Sequence, residues 1–233
     1  MDSYQSFQVG AQIVTPIIIT DGYLTLDAIV EHQIAARGLD IESPIEKFDG
    51  IPLASAALIY GGMPNQSASF VKSVSGADVE EGLLPLMADS TESVSIKTNS
   101  GKHKSILSVY DRRIELHDGQ PIQIIWLVRA RQSALMNILR DVQGIGKKFG
   151  SGYGQIDPTS WQTDPLDGDD PSAVLRYEND ALRPIPMTTW QKLCPVPPQN
   201  AMPERFRFPY HLGDMTLCAV PTRTIYMTEG DWR

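Results

Sequence analysis

Cysteine is nearly missing from these 233 residues: Cys194 and Cys218 are the only two, and they form no close-spaced pair. A disulfide-stapled scaffold is therefore excluded, and with four scattered histidines no zinc-ligand spacing can be read, so neither a metal nor a cofactor is expected. No apolar run approaches the roughly 20 residues that a membrane span needs. The opening Met1-Asp2-Ser3-Tyr4-Gln5 has neither the basic stretch nor the apolar block of a secretory signal. The expectation is a cytoplasmic protein with reduced thiols and no membrane partner. Positive charge is the scarcer sign, 20 Lys and Arg against 28 Asp and Glu for a net charge of −8, which argues against indiscriminate coating of nucleic acid. With 42% apolar residues, the chain is still able to bury a sizeable core.

The average charge hides an asymmetry. From residue 97 to 148 ten basic residues face four acidic ones, giving +6 for the middle of the chain and −14 for the remainder. Either an anionic ligand is held at one chosen surface, or ordinary solvated charge is unevenly distributed.

Periodicity organises the first two thirds. Residues 7–20 carry Val9, Ile13, Val14, Ile17, Ile18 and Ile19, a β-branched set that suits a strand. Leu26, Ile29, Val30 and Ile34 then fall on one helical stripe, with Thr25 as N-cap and Gly38 where the helix should stop. Residues 53–60 and 68–74 read as strands around Gly61-Gly62. Residues 92–117 read as an inserted hairpin whose polar basic turn runs from Lys97 to Lys104. Residues 122–128 are almost continuously apolar, as in a central strand covered on both faces. Leu135, Ile138, Leu139 and Val142 mark a second helix, with Ser133 as its cap, and a short strand is expected through Ile156.

That order, βαββαβ with an insertion, predicts an α+β chain with a ferredoxin-like (RRM-type) domain over residues 5–158. Eleven of the seventeen prolines lie between Pro158 and Pro221, so residues 159–233 are expected to form a β-rich, proline-rich appendage packed on that domain.

Between the second helix and the last strand lies Gly144-Ile-Gly-Lys-Lys-Phe-Gly-Ser-Gly-Tyr-Gly154, five glycines in eleven positions. Such a loop lets backbone approach a ligand closely. It is no P-loop, because Lys147 is followed by Lys148 and no glycine stands five places before Gly146. It is no dinucleotide fingerprint either, since it follows a helix and leads into a strand. A plain flexible connection stays open as the alternative.

In this position and form the loop resembles the signature of the RAMP superfamily, the RNA-binding subunits of CRISPR effector complexes. Thr15-Pro16-Ile17-Ile18, Leu26-Asp27-Ala28-Ile29-Val30 and Leu182-Arg183-Pro184-Ile185-Pro186 resemble the subunit that caps the 5′ handle of the guide RNA, most closely in type IV systems. The resemblance implies a non-catalytic crRNA-binding protein that assembles with backbone and other subunits and meets target DNA only through the assembled complex. It also implies that Gly144, Gly146, Lys147, Lys148, Gly150, Gly152 and Gly154 contact the guide backbone. An inserted hairpin would serve as a thumb; the segment from Lys97 to Arg113, with Lys102, His103, Lys104 and Arg112, is the candidate. Tyr153 or Phe149 is suited to stack a base, although core packing is as natural for either.

Relatives in that superfamily include metal-independent endoribonucleases that process precursor guide RNA with a histidine, and this is the alternative function. His32 is the candidate acid or base: it sits on the first helix, away from the apolar stripe, facing solvent or a ligand. His103 suits an RNA contact or plain solvation, and His117 and His211 have no evident partners. The acidic run at residues 164–170 lacks calcium-loop spacing and reads as a solvated turn.

Overall fold

Hydrophobic alternation sets the central strands, and the computed structural model of the chain shows what each side of them meets. It describes residues 3–19, 23–65, 68–74, 104–110, 112–168, 170–210 and 214–222, with backbone alone described at 63–65, 68–74, 104–110 and 112–113. The chain opens with β1 (Tyr4–Ile13), β2 (Ile17–Ile19) and α1 (Leu26–Ala36). Short strands β3 (Lys47–Phe48), β4 (Ile51–Pro52) and β5 (Leu58–Tyr60) follow, then β6 (Gly62–Asn65), β7 (Ala68–Val74), β8 (Lys104–Tyr110) and β9 (Arg112–Leu116). Next come the long β10 (Ile122–Arg131), α2 (Gln132–Leu139) and β11 (Gln162–Pro165). The last third holds β12 (Arg176–Tyr177), β13 (Asp180–Ala181), β14 (Ile185–Pro186), α3 (Met187–Leu193), β15 (Ala201–Glu204) and β16 (Thr216–Ala219). The fold class is α+β, with antiparallel pairing between all of the paired strands described.

The main sheet has the order β11-β1-β10-β5. Strand β1 lies against β10 along its whole length, from Tyr4 opposite Arg131 to Ile13 opposite Ile122. Phe7, Val9, Ala11 and Ile13 of β1 and Ile122, Ile124, Trp126 and Val128 of β10 point to one face, where α1 and α2 cover them with Leu26, Ile29, Val30, Leu135, Ile138 and Leu139. The other face of β10 is covered too. Ile125 and Leu127 join Leu53, Leu58, Val174, Ile185 and Trp190 in a second apolar cluster contributed largely by the C-terminal third. This is why β10 reads as nearly continuous apolar sequence.

Several boundaries differ from those expected. The strand that completes the main sheet is not the stretch through Ile156, which makes only a single bridge to Ile13. It is β11, beyond residue 158, paired with Phe7–Gly10 of β1. Pro158 has no N–H for the ladder, and the Asp157 carboxylate accepts from the Thr159 amide and hydroxyl, so the chain loops out before rejoining β1. Those same bonds hold the Asp157 carboxyl below the usual carboxylate range. Helix α2 begins at Gln132 with Arg131 as its cap, placing Ser133 inside the helix. Thr25 is the α1 cap residue as read, but its hydroxyl makes no cap bond; it donates to the Tyr210 hydroxyl.

Strand β8, the second arm of the expected hairpin, pairs with β7. Lys97, Lys102, His103 and the turn around them lie outside the described residues, as does His211. Both cysteines are buried and free, and burial with the nearby Glu204 pushes the Cys218 thiol up to about 11. Among the described residues no helix is long and apolar enough to cross a membrane, and no cluster of three His, Cys, Asp or Glu is placed to hold a metal ion.

Candidate functional site

The glycine loop is built by close approach to β2. The Lys147 amide donates to the Ile18 carbonyl at 2.8 Å and the Gly154 amide to the Pro16 carbonyl at 2.8 Å, while the Ile145 amide donates to the Gly154 carbonyl at 2.9 Å. Gly146 and Gly154 hold φ of 82° and 63°, and a β-carbon on either would run into a backbone carbonyl oxygen, that of Ile18 or Ile145. Gly144 matters for space: the Phe149 ring occupies the volume its β-carbon would need. At the loop tip, residues 149–151 form one tight turn capped by Lys148, which is itself left-handed with φ of 62°. Local strain of about 1–3 kcal/mol at a non-glycine residue is the kind that binding sites hold.

The expected guide-contacting glycines therefore divide. Gly154 is buried, and both of its backbone polar groups are bonded within the protein, so it has nothing to offer a ligand; its role is architectural. Gly150 and Gly152 stand in open space at the tip. Gly154→Ala is expected to destabilise the protein by about 2 kcal/mol or more, the left-handed penalty plus the carbonyl clash, whereas Gly150→Ala should be nearly neutral. Chemical denaturation of the two variants checks this, and equal midpoints would contradict the assignment.

Between the loop and α1 lies a cleft of about 620 Å³. Its α1 wall presents Ala28, Ile29, His32 and Gln33; the facing wall presents Gln143, Gly144, Gly146, Lys147 and Phe149. Tyr23 and Leu24 close the end nearest the start of α1, and Phe208 of the C-terminal third lines the cleft as well. His32 and Lys147 are exposed, as expected of a helix position off the apolar stripe and of a loop lysine. Asp141 also lines the cleft, but it is ion-paired with Arg37 at 2.6 Å. No protein-family model matches the chain, and no curated protein is similar to it.

Of the candidates that the sequence singled out, the fold thus brings His32, Gly144, Gly146, Lys147 and Phe149 to one cleft. Tyr153 is half-buried, and neither it nor Lys148 lines the cleft. Lys104, Arg112 and Arg113 lie in the strands of the insertion, and Ile18 of β2 stands opposite Arg113. His117 stands apart, near Asp118 at 3.5 Å. Asp170 closes a short turn by accepting from the Ser172 amide and hydroxyl, which holds its carboxyl below the usual range; Asp164 sits in β11 opposite Gln8.

Two residues known only from the resemblance meet in the interior. Arg183 is fully buried and its guanidinium bonds Asp27 at 2.9 Å, the Pro52 and Ala54 carbonyls at 3.1 Å, the Phe206 carbonyl at 3.1 Å and the Tyr210 hydroxyl at 2.7 Å. Tyr210 donates in turn to Asp27 at 2.8 Å and accepts from Thr25. Burial opposes the Arg183 charge, but Asp27 and Tyr210 outweigh it and raise its pKa; burial likewise pushes the Tyr210 phenol up, so it stays a donor. This cluster ties the first turn of α1 to the segment that carries Phe208.

Proposed function

We propose that the protein is a non-catalytic guide-RNA-binding subunit of a multi-protein CRISPR effector complex, of the RAMP type, capping the 5′ handle of the guide. The observation that carries the reading is the cleft in which Lys147 and the glycine loop face α1, because it offers single-stranded nucleic acid a cation, accessible backbone and a ring at one place. The antiparallel order β11-β1-β10-β5, with a helix after its first and third strands in sequence, supports a ferredoxin-like core. The basic middle of the chain supports an anionic partner, and the acidic remainder supports neighbours of protein rather than more RNA.

Binding on the sheet itself, as in RRM domains, is disfavoured around β10, because the C-terminal third covers its second face. Among the described residues, the cleft between α1 and the glycine loop, on the helix-covered side of the sheet, is an open surface suited to RNA. Co-expression with the adjacent genes and a guide RNA is expected to yield a stoichiometric ribonucleoprotein containing this chain. Recovery of the chain alone, free of RNA and partners in every such preparation, would sink the reading.

A second reading is favoured by one observation: His32 shares the cleft with Lys147 and Tyr23. In a metal-independent endoribonuclease, a histidine exchanges a proton with the attacking 2′-hydroxyl or the leaving 5′-oxygen while a lysine steadies the phosphate charge. The capping role predicts that His32→Ala leaves guide processing unchanged. The nuclease role predicts metal-independent cleavage at one position, leaving a cyclic phosphate, and slowed by about 10²–10⁴-fold in the variant. Gel analysis of repeat RNA in the presence of chelator separates the two.

A further inference from the structure

We propose that the cleft holds one unstacked nucleobase of the bound RNA strand, with Phe208 from the C-terminal third and Phe149 from the glycine loop as its aromatic walls. This rests on the RNA-binding reading and specifies what the cleft contributes to it.

Phe208 and Phe149 are 41% and 40% exposed and line the same cavity, so both offer apolar surface to a flat partner at one place. Neither ring hangs on a loose tip. Phe149 lies over Gly144, whose missing side chain makes room for it. Phe208 is pinned from both sides by one buried group: Arg183 bonds the Phe206 carbonyl two residues before it and the Tyr210 hydroxyl two residues after it. A buried, multiply bonded guanidinium thus fixes an exposed phenylalanine at the cleft.

The rest of the lining suits a base more than a lipid or a peptide. Gln33 and Gln143 line the cleft, and a glutamine amide carries both donors and an acceptor, the pattern that meets the edge of a nucleobase. Lys147, exposed on the loop wall, is suited to the phosphate that must follow the base. Asp141 is neutralised by Arg37, so it does not repel that phosphate. A volume of about 620 Å³ has room for a nucleotide unit and falls within the roughly 300–1,000 Å³ of small-ligand sites.

The test compares binding of the full chain to a short single-stranded RNA of mixed sequence and to an all-abasic strand of the same length, which keeps the phosphates and removes the bases. The wild type is expected to prefer the intact strand by about 5- to 150-fold, the range for stacking one base. Phe208→Ala and Phe149→Ala should lose most of that preference while binding the abasic strand as the wild type does. Lys147→Glu should weaken both strands alike. Unchanged preference in both phenylalanine variants overturns the base pocket. Equal wild-type affinity for the two strands also overturns it while leaving RNA binding intact, and no binding to either strand brings down both readings. Free mononucleotides competing as well as the intact strand would reassign the cleft to a soluble nucleotide.

Discussion

Arg183→Met is expected to lower folding stability by about 3–5 kcal/mol, equivalent to a fall of about 6–20 °C in the melting temperature for a chain of this size. The substitution leaves the Asp27 carboxylate buried beside Tyr210 with no cation, and strips the Pro52, Ala54 and Phe206 carbonyls of their donor. The large figure comes from stranding a charge, because a buried pair itself contributes little once the desolvation of both ions is counted. Asp27→Leu combined with Arg183→Met should therefore recover much of the loss, whereas an exposed pair such as Arg37 and Asp141 should contribute less than about 1 kcal/mol. Calorimetry of the single and double variants is the measurement. A single variant that melts with the wild type would show that the interior cluster does not hold the C-terminal third in place.

Lys147→Glu with Lys148→Glu is expected to weaken single-stranded RNA binding on the order of 25-fold or more at about 0.1 M salt, and to flatten the salt dependence. Each phosphate contact on a single strand contributes about 0.7 to the slope of log affinity against log salt, so the loss of two lowers it by about 1.4. Reversal of charge adds repulsion to that loss. Lys147 is exposed and its amide, not its side chain, bonds Ile18, so Lys147→Glu alone should little affect folding; Lys148 is half-buried and caps the tip turn, so the melting temperature of the double variant is measured beside its binding. A salt titration by anisotropy reads the affinity and the slope. An unchanged slope would mean that these lysines do not meet phosphate, and the guide-binding proposal would lose its main support.

What could be read from the sequence was whatever local periodicity carries. The α1 stripe of Leu26, Ile29, Val30 and Ile34, the apolar run of β10 and the glycines between α2 and β11 each announce themselves within a dozen residues, and each is where it was expected. Pairings over long separations were not legible. Nothing near residues 162–165, with their polar Gln162, Thr163 and Asp164, marks an edge strand of the main sheet, because an edge strand with little apolar surface carries no alternation. Among the described residues after 158 there is one short α-helix, α3, in keeping with the many prolines, but the proline count hides the second apolar cluster around Trp190, since prolines set backbone shape and say little about packing. His32 is marked in the sequence by its place off the stripe. Phe208 carried no signal, because what makes it notable is Arg183, and an arginine in a proline-rich stretch looks like an ordinary surface charge until its burial is seen.

The connection between Asp27 and Arg183 spans 156 positions, and that fixes an order of events during synthesis. When α1 leaves the ribosome, its first turn carries an acid whose cation has not yet been made. Strand β1 is in the same position, since both of its neighbours, β10 and β11, belong to the second half of the chain. Strand β1 therefore has neither of its sheet neighbours, and Asp27 no cation, while only the first hundred residues have been made. They must wait, with Val9, Ile13, Ile17 and Ile18 exposed, until the strand that ends at Arg131 emerges. Non-local pairing of this kind makes folding slow and leaves nascent chains prone to association, so truncated or stalled products should be recovered as aggregates rather than as a stable N-terminal fragment.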